Sequence, residues 1–189
     1  MKRTVFTFGL ISGGLAISLM LISLLLKDRI GFENGFFVGY TVLILTGLLI
    51  FPGIRSYREN VGGGAISFGR AFAVGILITL IASICYVVVW EIVYFNFMPD
   101  FCDRYAAFMI EKAKASGAGP QVIEAKMQEM QKMKAILNNP LTNAAFSFLE
   151  PFPIGLLITL ISSAILRKKR RDDQPGDEVE TRLPNSSPA

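Results

Sequence analysis

The sequence predicts an all-α membrane protein with four transmembrane helices and an extracytoplasmic helical hairpin between the third and the fourth. The chain has 189 residues, 52% of them hydrophobic, and a mean hydropathy of +0.48. Its apolar residues are gathered into blocks, whereas a soluble core would space them by the period of an amphipathic element. Most basic residues lie before the first and third blocks or after the second and fourth, so they would face the same side of a membrane. This pattern is typical of a chain that crosses a membrane several times.

The third block is the clearest of the four predicted spans. The twenty residues between Arg70 and Glu91 carry no charge. At ~1.5 Å per residue, a helix of that length crosses a hydrocarbon core of ~30 Å. The span is placed at about residues 66–95. It closes on aromatic residues that favour the headgroup level, namely Trp90, Tyr94, Phe95 and Phe97.

The first two spans are predicted at about residues 4–26 and 35–51. The first follows a basic start, but it is longer than a signal-peptide core and no small-x-small cleavage site follows it, so an uncleaved span is favoured. Pro52-Gly53 is predicted to end the second, because proline cannot continue a helix and glycine favours a turn. Each span contains a Gly-x-x-x-Gly pair, Gly9 with Gly13 and Gly35 with Gly39, which we interpret as helix packing.

The polar segment 99–142 is predicted to form the outer hairpin. Its first helix should end near Gly117, and its second should start at Pro120 and stop at Asn138-Asn139-Pro140. A methionine-rich stripe follows the second helix, at Ile123, Met127, Met130 and Leu137, with Met133 beside it. Such a stripe can bind a soft metal or an adaptable partner, but packing on a neighbouring helix is the interpretation favoured here.

The fourth span is predicted at about residues 143–166. Pro151 and Pro153 should kink this helix or delay its start, since neither can donate a backbone hydrogen bond. Glu150 lies ~26 Å along the helix from Arg167, just inside the outer boundary. The membrane domain therefore covers residues 1–171. The polar, proline-containing residues 172–189 are expected to form a disordered cytoplasmic tail.

Part of the sequence resembles a known family. The segment IRSYRE…GGGAISFGRAFAVGILITLIASICYVV, followed by YFNFMPDF, is similar to the bacterial membrane-protein family called domain of unknown function 4199. The matching residues are Gly63, Gly64, Ile66, Ser67, Phe68, Gly69, Phe72, Gly75, Pro99 and Asp100. The resemblance covers nearly the whole chain in layout and is most specific over residues 55–101. It implies several spans and a bacterial envelope location, and it assigns no catalytic residues.

The basic residues predict the orientation. In a four-span arrangement one side receives Lys2, Arg3, Arg55, Arg58, Arg70 and the basic run 167–171, and the other receives Lys27 and Arg29. The positive-inside rule then places both termini in the cytoplasm. The predicted location is the bacterial inner membrane, and the net charge of +4 reflects this topology instead of a nucleic-acid partner.

The composition favours a non-catalytic role. The chain has no histidine, and its two cysteines, Cys85 and Cys102, are ~25 Å apart if both lie on one helix, too far for a disulfide. No metal-ligand cluster or nucleophile–base spacing is recognisable, so neither enzymatic activity nor a cofactor is expected. The sequence predicts a membrane-embedded binding or accessory protein, with the bilayer and a protein partner or second copy at the hairpin as its contacts. The alternative is a small transporter or proton-linked carrier, disfavoured because no ionisable residue lies near the middle of a span.

Two carboxylates form the candidate site. The third helix runs outward and the fourth inward, so Glu91 and Glu150 should lie at similar depth near the outer interface. If these helices are neighbours, low dielectric and like charge would favour a shared proton near neutral pH, and the pair would be a proton or cation site. The alternative is that each carboxylate reaches headgroup water or a basic residue such as Arg104.

Overall fold

The computed structural model describes residues 1–168, apart from the side chains of Lys27 and Asp28, and these residues form eight helices. They are α1 (Lys2–Leu25), α2 (Lys27–Gly47), α3 (Ile50–Asn60), α4 (Phe68–Phe97), α5 (Phe101–Ala115), α6 (Pro120–Leu137), α7 (Pro140–Leu149) and α8 (Pro151–Leu166). Within this part of the chain the only extended pairing is an isolated antiparallel bridge between Ile66 and Lys168. The predicted tail and the last three residues of the basic run lie outside the described residues.

Four helical stretches are long and apolar enough to cross a membrane. They are Lys2–Leu25, Arg29–Asn60, Phe68–Phe97 and Pro140–Leu166. The all-α class and the prediction of four helices of membrane-spanning length are therefore confirmed.

The second of these stretches corrects a sequence prediction. The helix does not end at Pro52-Gly53, because α3 runs through both residues to Asn60. The interruption comes earlier, between α2 and α3, where Leu49 N donates to Thr46 O and Phe51 N donates to Leu48 O. Pro52 lies in the first turn of α3, where backbone N–H groups have no partner within the helix. Proline is therefore tolerated there, and the helical stretch continues towards the next link.

The fourth stretch is interrupted as predicted. Helix α7 ends at Leu149 and α8 begins at Pro151, with Glu150 between them. Neither Pro151 nor Pro153 has a backbone N–H, so the hydrogen-bond ladder cannot pass this point unbroken. Glu150 thus stands at a junction between two helices of one span.

The tightest packing lies where α1, α3, α4 and α8 meet, which we call the closed end. Its buried core consists of Val5, Ile50, Ile54, Tyr57, Ile66, Ala71, Val74, Ile78 and Leu166. Helices α4 and α8 approach at two glycines. A Cβ added at Gly75 would lie 2.6 Å from Thr159 Cγ2, and one at Gly155 would lie 2.4 Å from Thr79 Cγ2. No side chain larger than hydrogen fits at either position without a shift.

Helices α5 and α6 match the predicted bounds of the polar segment and pack on each other. Asp103 of α5 forms an ion pair with Lys134 of α6, and Lys112 Nζ lies 3.0 Å from Glu33 Oε1 of α2. The methionine stripe is divided, since Met130 is buried whereas Met127 is 45% exposed. The predicted packing face therefore covers only part of the stripe.

Candidate membrane-embedded binding site

A cavity of about 610 Å³ lies between the end of α1, helix α2, the second half of α4, the start of α5 and the α7–α8 junction. Small-molecule sites in proteins typically measure ~300–1,000 Å³. The cavity lies in the half of the bundle away from the closed end. We call this half the open half.

Aromatic rings form much of the cavity wall. They are Phe32, Phe36 and Tyr40 from α2, Tyr86 and Trp90 from α4, and Phe101 and Tyr105 from α5. The ring centroid of Phe32 lies 6.0 Å from that of Phe101 and 5.6 Å from that of Tyr105. Helices α2 and α5 are thus joined through their rings, which bound the cavity on one side.

Trp90 is fixed in this wall by a buried amide. Its Nε1 donates to Asn143 Oδ1 at 3.1 Å, and Ser147 Oγ donates to the same oxygen at 3.0 Å. Asn143 Nδ2 in turn donates to Leu137 O at 2.9 Å, and Asn143 is fully buried. Sequence reasoning missed Asn143. The one available signal was an amide at the start of an apolar span, where it must find partners inside the protein.

The two Gly-x-x-x-Gly pairs have different environments. A Cβ at Gly9 would lie 2.8 Å from Ile81 Cβ, and one at Gly13 would lie 2.8 Å from Cys85 Cβ, so α1 packs closely on α4 as predicted. At Gly35 and Gly39 no atom of another residue lies within 4 Å of the added Cβ, and both glycines line the cavity. The predicted packing at this second pair is wrong for the described chain.

Glu150 supplies a carboxylate to the cavity wall. Tyr86 Oη donates to Glu150 Oε2 at 3.4 Å, and the described residues form no ion pair with this carboxylate. The other charged residues of the wall are Asp100 and Arg104, one turn apart at the start of α5, where Arg104 N donates to Asp100 O at 3.0 Å. The described charged groups of the wall therefore lie at the α5 side and the α7–α8 junction.

Glu91 does not share this position. It is half-buried, is not among the described residues of the cavity wall, and its Oε1 has no hydrogen-bond partner in residues 1–168. Glu150 instead receives its hydrogen bond from Tyr86. The described contacts do not join the two carboxylates, so the shared proton stays a prediction.

A second, much smaller cavity of about 30 Å³ lies beside the first. Its wall is mostly apolar and includes five residues with a hydroxyl group, Ser12, Thr46, Thr79, Ser83 and Tyr86. The α2–α3 and α7–α8 junctions both border it, since Thr46, Gly47 and Ile50 flank the first and Pro151 flanks the second. A space of this size holds about one water molecule. Tyr86 lines both cavities and so lies between the small cavity and Glu150.

The motif residues Gly63, Gly64, Ser67, Phe68 and Gly69 lie at the closed end, far along α4 from the cavity. Gly63 and Gly64 have φ values of 62° and 85°, in the left-handed region that favours glycine. Ser67 Oγ accepts from Arg70 N at 3.4 Å and caps α4, whose first residues are Phe68 and Gly69. These residues shape the α3–α4 link.

That link is tied to the end of the fourth span. Ile66 N donates to Lys168 O and Lys168 N donates to Ile66 O, both at 2.9 Å. Arg58 Nη1 donates to Leu166 O at 3.4 Å. The remaining motif residues, Pro99 and Asp100, lie in the α4–α5 connection, where Asp100 lines the large cavity. The motif therefore builds both ends of α4.

Comparison with known proteins shows family membership only. A search of the curated proteins finds no match, and a search of the solved structures finds none. The sequence model of one family matches residues 7–168, which is most of the chain. This chain therefore belongs to the family described as protein of unknown function (DUF4199).

Proposed function

We propose that the protein is a non-catalytic membrane-embedded binding protein, whose cavity takes up an amphiphilic small molecule from the bilayer. The observation on which this depends is the cavity of about 610 Å³, with an aromatic wall and a few polar groups. Apolar cavities with a small number of placed polar groups are the common form of ligand sites.

The proposed orientation places both termini in the cytoplasm of a bacterial cell and the protein in its inner membrane. The Ile66–Lys168 bridge supports it, because the α3–α4 link and the end of α8 lie at the same end of the bundle. Arg55, Arg58 and Arg70 are also at this end, so the positive-inside rule favours a cytoplasmic location for the whole end. Reporter fusions after Ala189 and near Gly117 test the topology. A C-terminus outside the cytoplasm would contradict it.

In this orientation α5 and α6 form an extracytoplasmic hairpin beside the cavity. Exposed apolar side chains on α6 and the adjacent start of α7, among them Val122, Met127 and Leu141, give this region a surface for a protein partner or a second copy. Affinity purification in mild detergent, with and without residues 99–142, tests the partner. Recovery of the same partner without the hairpin would contradict this role.

The test of binding uses Trp90, which is the chain's single tryptophan and lies on the cavity wall. The neutral fluorescent amphiphile 1-N-phenylnaphthylamine is titrated into the full-length protein in lipid nanodiscs, and energy transfer from Trp90 is measured. We expect saturable transfer, because a bound probe lies close to the indole. Gly39→Leu should reduce probe affinity by about 10-fold, since its side chain would project into the cavity.

The matched control is Gly14→Leu. Gly14 also has no atom of another residue within 4 Å of an added Cβ, but it is not among the residues of the cavity wall. This variant should bind the probe like the wild type. Absence of saturable transfer in the wild-type protein, or equal loss in both variants, would contradict the proposed function.

Transport is the second candidate, and the two interrupted spans favour it. Discontinuous helices beside the substrate are a feature of transporter binding sites. Here both helix junctions border the small cavity, whose wall includes five hydroxyl side chains. Uptake of the probe into proteoliposomes against an imposed proton gradient tests this. Accumulation that collapses with the gradient would favour a carrier over a binding protein.

A further inference from the structure

We propose that the large cavity selects hydrophobic organic cations, with the positive centre of the ligand beside Glu150 and its apolar groups against the aromatic wall. This inference rests on the proposed binding function and specifies its ligand class.

The first reason is the charge of the wall. Its described charged residues are Asp100, Glu150 and Arg104, which leaves a net negative balance. Asp100 and Arg104 lie one turn apart at the start of α5, whereas Glu150 comes from the α7–α8 junction and forms no ion pair with any side chain that the structure describes. A carboxylate inside a span is costly unless a partner compensates it. A cationic ligand would be such a partner.

The second reason is the hydrogen bonding of Glu150. Its described donor is the neutral Tyr86 hydroxyl, which engages Oε2 at 3.4 Å. A carboxylate can accept about four hydrogen bonds, so this one leaves capacity for a ligand. Glu150 is also exposed, which means that a molecule in the cavity can reach it. Tyr86 therefore orients the carboxylate without neutralising it.

The third reason is the aromatic wall. A cation within ~6 Å of a ring centroid is attracted by the negative face of the ring. Phe36, Tyr40 and Trp90 present rings to the cavity. Beside the cavity, Lys112 Nζ, which is paired with Glu33, also lies 5.7 Å from the ring centroid of Phe108, and that ring is 5.5 Å from the ring of Phe32.

The test uses two ions of the same shape and opposite charge, tetraphenylphosphonium and tetraphenylborate. Each competes with bound 1-N-phenylnaphthylamine on the full-length protein in nanodiscs, and free ion concentrations are read with ion-selective electrodes. The cation should displace the probe at a concentration about 10-fold lower than the anion, because the wall is net negative. Equal displacement by the two ions would overturn the inference while leaving the proposed binding function in place.

Variants then assign the selectivity to Glu150. Glu150→Gln should raise the concentration of cation needed for half-displacement about 10-fold more than it changes the affinity for the neutral probe. The control Glu129→Gln removes an exposed carboxylate of α6 that pairs with Lys126, so it should change neither value. Unchanged cation selectivity in Glu150→Gln would overturn the inference.

Two further variants keep the test decisive if Glu150→Gln destabilises the fold. Glu150→Asp keeps the charge and should keep the preference for the cation over the anion. Phe36→Leu removes a ring of the wall whose side chain is 64% exposed, and it should weaken cation binding about threefold more than it weakens binding of the neutral probe. Loss of cation preference in Glu150→Asp, or equal weakening of cation and neutral probe in Phe36→Leu, would contradict the assignment. Absence of neutral-probe binding to the wild type would instead reject the proposed function itself.

Discussion

The two Gly-x-x-x-Gly pairs of this protein have the same spacing and different uses. Gly9 and Gly13 are buried where α1 approaches α4, whereas Gly35 and Gly39 are exposed on the cavity wall. In the first pair the missing side chains let two helices touch. In the second pair they leave space that no helix fills. The difference shows that glycine spacing predicts where a helix can be approached closely, and the neighbouring elements decide whether anything approaches.

The same contrast separates the two halves of the bundle. At the closed end glycines, small hydroxyl residues and branched aliphatic side chains interlock between α1, α3, α4 and α8. In the open half, α2 and α5 contribute large rings that meet edge to face and leave a cavity behind them. Stability should therefore depend mainly on the closed end, and ligand binding on the open half.

The largest expected effect is at Gly13. Gly13→Val would place a branched side chain against Cys85, where even a Cβ lies 2.8 Å away, and overpacking of this kind costs about 1–3 kcal/mol. Thermal unfolding of the purified protein in detergent measures the loss. Gly14→Val is the matched control, since it adds the same side chain on the same helix where no neighbour lies within 4 Å. Equal loss in both variants would show that the cost arises from helix propensity instead of packing.

Next in size is the support of the aromatic wall. Asn143→Leu removes the acceptor of Trp90 Nε1 and of Ser147 Oγ, and unsatisfied buried donors cost about 1–3 kcal/mol. Both unfolding temperature and energy transfer from Trp90 to the neutral probe should fall. Ser147→Ala, which removes only one of the two donors, should lower stability less and leave probe binding unchanged. Full probe affinity in Asn143→Leu would show that the wall keeps its shape without this amide.

A smaller effect is expected at Arg58, which joins α3 to the end of α8. Arg58→Met removes the hydrogen bond to Leu166 O, and the loss should be about 1 kcal/mol because a net hydrogen bond is worth about that much. Arg55→Met is the control, since Arg55 is exposed and pairs with Glu59 of its own helix. Detergent unfolding should separate the two variants. Equal stability of Arg58→Met and Arg55→Met would show that the Arg58 hydrogen bond adds nothing to the Ile66–Lys168 backbone bridge in holding the end of α8.

The smallest effect is expected at the second glycine pair. Gly39→Ala should change stability by less than about 0.5 kcal/mol, because the added methyl group meets no neighbour. The same unfolding assay measures it beside Gly13→Val. A loss as large as that of Gly13→Val would show that another helix or a second copy packs on this face of α2, and the contrast between the two pairs would then disappear.

Much of the fold could be predicted because membrane spans are set by hydropathy and length. The bounds of α1, α4, α5 and α6 agree with the sequence prediction within a few residues. The second span extends beyond its predicted end, because a helix restarts at Ile50 and Pro52 lies in its first turn, where proline is tolerated. Whether proline stops a helix depends on its distance from the start, and that start was set by local hydrogen bonds around Leu48 and Leu49.

The site was harder to predict for a physical reason. Glu150 was recognised because a carboxylate stands out in an apolar span, but its partner is Tyr86, a residue that the sequence presents as one ring among many. The cavity itself has no motif, since it results from the way in which α2, α4 and α5 fail to fill the space between them. Only the three-dimensional arrangement shows such an absence of packing.

The Ile66–Lys168 bridge has a consequence for how the protein is made. Its two residues are separated by the third span, the polar segment and the fourth span. The pair therefore cannot form until Lys168 has been synthesised and has left the ribosome. Until then the link after α3 has a backbone donor and acceptor without their native partner. The closed end is therefore completed only after α8 has been made, although most of its core residues come from the first half of the chain.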